Sequence, residues 1–426
     1  MNIATKSIHS GYSSDPTTKA VVPPIYQTSS YSFDNAQHGA ELFSLQTEGN
    51  IYSRIMNPTN SILESRLADL EGGIAALTVS SGMAAITYTV QTLTKAGQNI
   101  VSVNELYGGT IDYFKNTLPN LGIDVRFGSG NDINGLAELI DENTTLLYCE
   151  SIGNPLGNIV DLEALAAVAH QAGVPLVVDN TVATPFLIRP IDFGADIVIH
   201  SLTKYIAGHG TTIGGAIIDA GNFDWGKEPA RFPLLNDSDG SYHGLVYSEA
   251  LGNAAFIGRC RVGPLRNTGA ALSPFNAFLI LQGIQTLSLR MERHCENALK
   301  LAEYLENHEA VSWVNYGGLA SSQYHDLAVR YAKGKPSGIL SFGIKGGKEA
   351  GIKFLDALEL IVRLVNIGDT KSLATHPAST THSQLSEAEY AAAGISAEMV
   401  RISVGIEDIA DIIADVEQAL AQSQSA

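Results

Sequence analysis

A largely parallel α/β sheet followed by a smaller α+β region is the fold class that this sequence predicts, and three observations predict it. Short apolar runs of strand length alternate with helical stretches through the first two thirds of the chain. Several of those runs are apolar at nearly every position, as strands covered on both faces are. After about residue 263 the texture changes to long amphipathic helices with a late pair of strands. The 426 residues, 45% apolar and 16% charged, suffice for a core larger than one ordinary domain provides.

Taken in order, residues 1–58 carry Pro16, Pro23, Pro24 and Pro58 and little helical periodicity, so they read as an extended arm. Its apolar and aromatic residues, among them Ile25, Tyr26, Tyr31, Phe33 and Phe43, favour wrapping over a neighbouring subunit. Apolar runs at 99–103, 145–149, 175–178, 196–199 and 214–218 are the expected buried strands of a large domain spanning 59–262. The Ala- and Leu-rich stretch 161–171, closed by Gly173-Val174-Pro175, is a crossover helix. A C-terminal small domain, 263–426, opens on a helical stretch at 276–307 and pairs strands near 338–344 and 400–404.

Charge and cysteine usage exclude several classes of function. With 26 Lys plus Arg against 44 Asp plus Glu, the net charge of −18 repels nucleic acid and anionic lipid. The 3 cysteines, Cys149, Cys260 and Cys295, are widely spaced and lack a CxxC pattern, which argues against a disulfide framework or a zinc knuckle. No leader-like apolar core opens the chain and no apolar run approaches membrane-spanning length, so a cytoplasmic location is expected.

In open α/β sheets ligands collect beyond the carboxyl ends of the strands, which makes the residues after each apolar run informative. Here they are Tyr107, then Glu150 with Asn154, then Asp179, then Ser201-Leu202-Thr203-Lys204. A carboxylate closing an apolar strand is costly unless a cation or hydrogen-bond donors meet it. A lysine after a buried strand has its amine made nucleophilic by desolvation. Asp179 and Lys204 alone are equally compatible with a structural ion pair. Gly82 and Met83, however, follow two serines and open an Ala-rich helix, the arrangement that receives a phosphate, with the Met83 backbone N–H as the contacting group. One ligand uses the whole set: pyridoxal phosphate, bonded to Lys204, with its ring nitrogen on Asp179, Tyr107 stacked on its ring and Ser201 and Thr203 on its phosphate.

The stretches Tyr52-Ser53-Arg54, Ser81-Gly82-Met83, Asp179-Asn180-Thr181 and Ser201-Leu202-Thr203-Lys204 together resemble the pyridoxal-phosphate enzymes of cysteine and methionine metabolism, of fold type I. The likeness runs from Ser7 to Glu407. It implies an aspartate-aminotransferase-like fold and assigns Lys204 and Tyr107 to catalysis. It implies that Tyr52 and Arg54 reach the cofactor phosphate of an adjacent subunit, in a tetramer built from dimers that share active sites. Arg401 is implied to receive the substrate carboxylate, Asn366 to stand where a serine makes the second contact, and Glu150 and Asn154 to line the ring. Within the family the likeness is to the sulfhydrylase branch, through the stretches 265–269, 273–278, 286–294, 366–373 and His376 to His382 and an insertion near 222–247. The implied reaction is γ-replacement, in which sulfide displaces acetate from O-acetyl-L-homoserine to give L-homocysteine for methionine biosynthesis. Gly109 stands where methionine γ-lyases carry a cysteine, and residues 366–369 depart from the pattern of cystathionine-handling relatives, so both activities are alternatives of lower standing.

A serine acyl-enzyme is a rival of another class, since Ser201 and Lys204 satisfy SxxK, although SDN and KTG are missing. A nicotinamide enzyme lacks its GxGxxG, and an acidic binding module leaves Asp179, Lys204 and Tyr107 unexplained. His200, His209, His376 and His382 match no common metal-ligand spacing and are expected to act through hydrogen bonds, with no metal. The 290–294 segment is expected to be a solvated or interface face.

Overall fold

The computed structural model describes residues 1–44, 46–377, 380 and 396–424. Ala378, Ser379, Thr381 and His382 of the 376–382 stretch lie outside the described residues. Two sheets organise the chain. The larger has 7 strands in the order β1-β7-β6-β5-β4-β2-β3, with β1 Ala75–Val79, β2 Asn99–Val103, β3 Asp124–Gly128, β4 Thr144–Glu150, β5 Leu176–Asp179, β6 Ile197–Ser201 and β7 Gly215–Asp219. Strands β3, β2, β4, β5 and β6 run parallel, whereas β7 is antiparallel to both β6 and β1. β2, β4 and β7 are buried along their whole length, as strands under helices on both faces must be.

The second sheet has 5 strands in the order β10-β11-β12-β9-β8, with β8 Val311–Asn315, β9 Ile339–Ile344, β10 Val362–Arg363, β11 Leu373–Thr375 and β12 Met399–Ser403. Its core is separate from that of the larger sheet and includes Leu340, Phe342, Val400, Ile402 and residues of the helix Ile409–Ser423.

Four differences from expectation have physical reasons. β1 and β3 went unpredicted: β1 follows directly on a helix and its glycine turn, and β3 is an edge strand carrying Asp124 and Arg126 at partly solvated positions. The expected single helix at 276–307 is two, Pro274–Gln285 and Leu287–Glu306, broken at Thr286. The expected solvated or interface face at 290–294 is corrected in part: Glu292 and Arg293 are exposed, whereas Arg290 and His294 are buried. Arg290 donates to the carbonyls of Tyr205, Ile206 and Gly283, and His294 Nδ1 meets the Val404 carbonyl at 2.7 Å. A buried cation is tolerated here because main-chain oxygens satisfy it. No helix of the described residues is long and apolar enough to cross a membrane.

Candidate active site

The carboxyl ends of β4, β5 and β6 and the start of the helix Gly82–Leu93 enclose a cavity of about 360 Å³, which Arg401 of β12 and Asn366, in the connection between β10 and β11, close. Gly82, Met83, Tyr107, Glu150, Asn154, Asp179, Ser201, Thr203, Lys204, Asn366 and Arg401 all line it. Eleven residues expected from 82 to 401 along the chain therefore converge on one space. Tyr52 and Arg54 do not join them; the Arg54 guanidinium lies 5.3 Å from the Tyr52 ring centre, and Tyr52 is exposed.

Lys204 sits in the turn that follows β6, its N–H bonded to the Ser201 carbonyl at 3.2 Å. Its amine donates to Asn366 Oδ1 at 2.5 Å. Burial, and then the nearby Arg401 guanidinium, bring that amine down to about 8 from the usual 10.5. The alternative ion pair with Asp179 is not formed; the amine turns towards the second sheet instead.

Asp179 is paired in register with Glu150 across β5 and β4. It accepts the Thr181 N–H at 2.9 Å and the Tyr148 hydroxyl at 3.5 Å, and among the described residues no lysine or arginine forms an ion pair with it. Burial pushes its carboxyl up, against the opposing pull of Thr181. Glu150 is likewise pushed well above the carboxylate range by burial and then by Asp179, although it accepts the N–H of Tyr107 at 2.6 Å and of Asn154 at 3.3 Å. Both carboxyls thus call for an additional donor.

Arg401 on β12 is 3% exposed, and burial lowers it to about 10. It donates to Asn154 Oδ1 at 3.0 Å and to the Asn366 carbonyl at 2.9 Å, while its Nε has no partner. A buried guanidinium with a free donor is ready for a carboxylate.

At the opposite end, the Ser81 hydroxyl accepts the Ala84 N–H at 3.1 Å and starts the helix. The amides of Gly82 and Met83 have no intrahelical acceptor. A Cβ at Gly82 would stand 2.7 Å from that of Ser201, so glycine is what lets the helix end approach the β6 turn. Thr203 is held by the Gly214 backbone, which donates to its hydroxyl at 3.1 Å.

Thr181 is a site residue that sequence reasoning did not single out. Its hydroxyl accepts the Ser201 N–H at 2.8 Å while its own N–H supports Asp179, so it ties β5 to the lysine turn. Its place in the Asp179-Asn180-Thr181 stretch was the available signal. Ile86, Ile152, Val182, Ile213, Val365 and Ile367 complete the apolar wall and carried no pattern of their own.

The donor set tests whether pyridoxal phosphate fits. An amine of lowered basicity, a buried carboxyl with no ion-pair cation, an aromatic ring at the rim, and helix-start amides beside hydroxyls together match an aldehyde, a ring nitrogen, a π face and a phosphate. The residues fit the group.

Residues 4–421 match the family described as Cys/Met metabolism PLP-dependent enzyme. The chain is 53% identical to O-acetyl-L-homoserine sulfhydrylase 1 of Thermus thermophilus, over 99% of this chain and 100% of that protein. It is 52% identical to homocysteine synthase of Schizosaccharomyces pombe, over 98% and 97%. A solved Campylobacter jejuni chain described as an O-acetylhomoserine (thiol)-lyase, with N'-pyridoxyl-lysine-5'-monophosphate at its position 205, superposes with a TM-score of 0.96. Its identity is 42% and the match covers 99% of this chain and 100% of that one.

Proposed function

Because the chain belongs to the Cys/Met metabolism PLP-dependent enzymes, we propose that it exchanges the γ-acetoxy group of O-acetyl-L-homoserine for sulfide, releasing acetate and L-homocysteine in methionine biosynthesis. The observation that carries this reading is one cavity holding Lys204, Asp179 and Arg401, in a chain about half identical over its full length to proteins named for that reaction. When bound, pyridoxal phosphate supplies an electron sink that stabilises negative charge on the substrate α-carbon.

This chain's residues do the rest. Lys204 would hold the cofactor, and its freed amine would take protons from the substrate α- and then β-carbon and return them. Its hydrogen bond to Asn366 gives the released amine a resting direction. Asp179 would keep the ring nitrogen protonated, Glu150 and Asn154 would line the ring, and Tyr107 would stack on it and assist proton movement. Gly82, Met83, Ser201 and Thr203 hold the phosphate, and Arg401 with Asn366 receives the substrate carboxylate. Gly109, in place of the cysteine of methionine γ-lyases, supports replacement over methionine cleavage; a Cβ there would stand 2.6 Å from the Tyr107 ring as it lies.

The same proposal divides the chain into an arm at 1–58, a cofactor-binding domain at 59–262 and a small domain at 263–426. It places the enzyme in the cytoplasm as a tetramer built from dimers, with Tyr52 and Arg54 completing the neighbouring subunit's phosphate site. The SxxK reading is set aside, since the Lys204 amine is directed to Asn366. The test is a substrate panel on purified, cofactor-loaded protein: O-acetyl-L-homoserine, O-succinyl-L-homoserine and O-acetyl-L-serine, each with sulfide, and methionine alone. Homocysteine from the first substrate is expected. Methanethiol and an α-keto acid from methionine, with no homocysteine from any ester, would reassign the reaction as a lyase.

A further inference from the structure

Behind the cavity lies a second polar cluster that the proposed chemistry does not use. Side chains alternate across a strand. Where Glu150, Asp179 and Ser201 line the cavity, their chain neighbours Ser151, Asn180 and His200 are fully buried, each at 0% exposure. Glu71, the last residue of the helix Pro58–Glu71 and itself at 0%, gathers His200 and Asn180 directly and Ser151 through Asn180. Glu71 Oε1 meets His200 Nε2 at 2.5 Å and accepts from Asn180 Nδ2 at 2.9 Å. Asn180 Oδ1 accepts the Ser151 hydroxyl at 2.8 Å, and Asn180 Nδ2 also reaches the Ile188 carbonyl at 2.9 Å. Glu71 and Asn180 together thereby join the ends of β4, β5 and β6.

Stability alone does not explain this cluster. Glu71 Oε2 and His200 Nδ1 are buried without a hydrogen-bond partner. Unpaired buried polar atoms cost free energy that an apolar packing of the same volume avoids. An arrangement that bears this cost in the wall directly behind the cofactor carboxyl points to the site in front of it.

On the reading that the cavity binds pyridoxal phosphate, we propose that Glu71, His200 and Asn180 are positioning residues: they clamp the three strand ends so that Asp179 and the Lys204 turn meet the two ends of one cofactor. Glu71 and His200 touch neither cofactor nor substrate; they act through Asn180 and Ser201, whose backbones carry Asp179 and the lysine turn.

Holoenzyme carrying Glu71→Gln, and holoenzyme carrying Glu71→Met with His200→Phe, test this, with Asp415→Asn as control. Asp415 is a buried carboxylate that accepts backbone N–H groups at 359–361, far from the cavity. The doubly apolar variant is expected to melt no lower than wild type. It should bind pyridoxal phosphate about tenfold or more weakly, show an altered visible band of the bound cofactor, and lose kcat about tenfold with KM changed by less than about threefold. Glu71→Gln should move the same three readouts in the same direction by a smaller factor, and it decides the matter if the double variant does not fold. Asp415→Asn should lower the melting temperature and leave cofactor affinity and spectrum unchanged. Band, cofactor affinity and kcat all within about twofold of wild type in Glu71→Gln and in any folded double variant would overturn the proposal. Wild-type protein that forms no cofactor band would instead sink the reading on which it rests.

Discussion

Lys204 combines two properties that a surface lysine lacks: a buried amine and an oriented one. With its basicity lowered to about 8, a large share of the amine is neutral at a pH where an ordinary lysine of 10.5 is protonated. Capture of pyridoxal phosphate by cofactor-free protein is therefore expected to speed up with rising pH and level off near pH 8; a stopped-flow rate still climbing towards pH 10 would contradict the lowered value. The sign for stability follows from linkage. Between about 8 and 10.5 the unfolded chain holds a proton that the folded chain has released, so the cofactor-free protein gains stability as pH rises through that window. Lys204→Ala should lose that part of the rise. At the substrate end, Arg401→Lys keeps the charge and loses the fork. KM for O-acetyl-L-homoserine should rise about tenfold or more with a smaller change in kcat, measured by steady-state kinetics. An unchanged KM would remove Arg401 from the substrate site.

At the scale of elements, the turn carrying the lysine is braced from behind by the helix Leu287–Glu306. Arg290 of that helix caps the carbonyls of Tyr205, Ile206 and Gly283. Arg290→Met should cost about 3 kcal/mol or more in denaturant unfolding, because it leaves buried carbonyls unpaired. A loss under about 1 kcal/mol would show that other groups satisfy them. Gly208 closes the same turn at φ +74°, and a Cβ there would stand 2.0 Å from Arg290 Nη1, so Gly208→Ala should destabilise and disturb Lys204 together. This brace explains what was hard to read in the sequence. Arg290 and His294 look like a polar helix face because their partners are backbone carbonyls brought in from residues 205–206 and 404, and carbonyls leave no mark in a sequence. β3 escaped notice for the converse reason: its charged, partly solvated positions hide an edge strand. By contrast, β2, β4, β5 and β6 were legible as apolar runs, and the site residues were legible because strand ends place chemistry at fixed points after such runs. Thr181 and the Glu71 clamp were not, since their function lies in contacts 20 and 129 residues away along the chain.

For the whole molecule, the arm bears on assembly. Val21, Val22, Phe33, Phe43 and Tyr52 are exposed, and Arg54 does not line the cavity. On the proposed assembly a neighbouring subunit covers these side chains. If Tyr52 and Arg54 serve the neighbouring subunit, then Arg54→Ala and Lys204→Ala proteins, each of low activity alone, should regain activity when their subunits are exchanged, because a mixed dimer contains one site with both native residues. A mixture no more active than its components would place the arm's function within its own chain. In the proposed site the cofactor aldehyde is bonded to the amine at 204. Reduction of the holoenzyme with borohydride followed by peptide mapping tests it most directly. The account predicts a single pyridoxyl adduct on the peptide containing Lys204; an adduct confined to another lysine, or none from catalytically active protein, would contradict it.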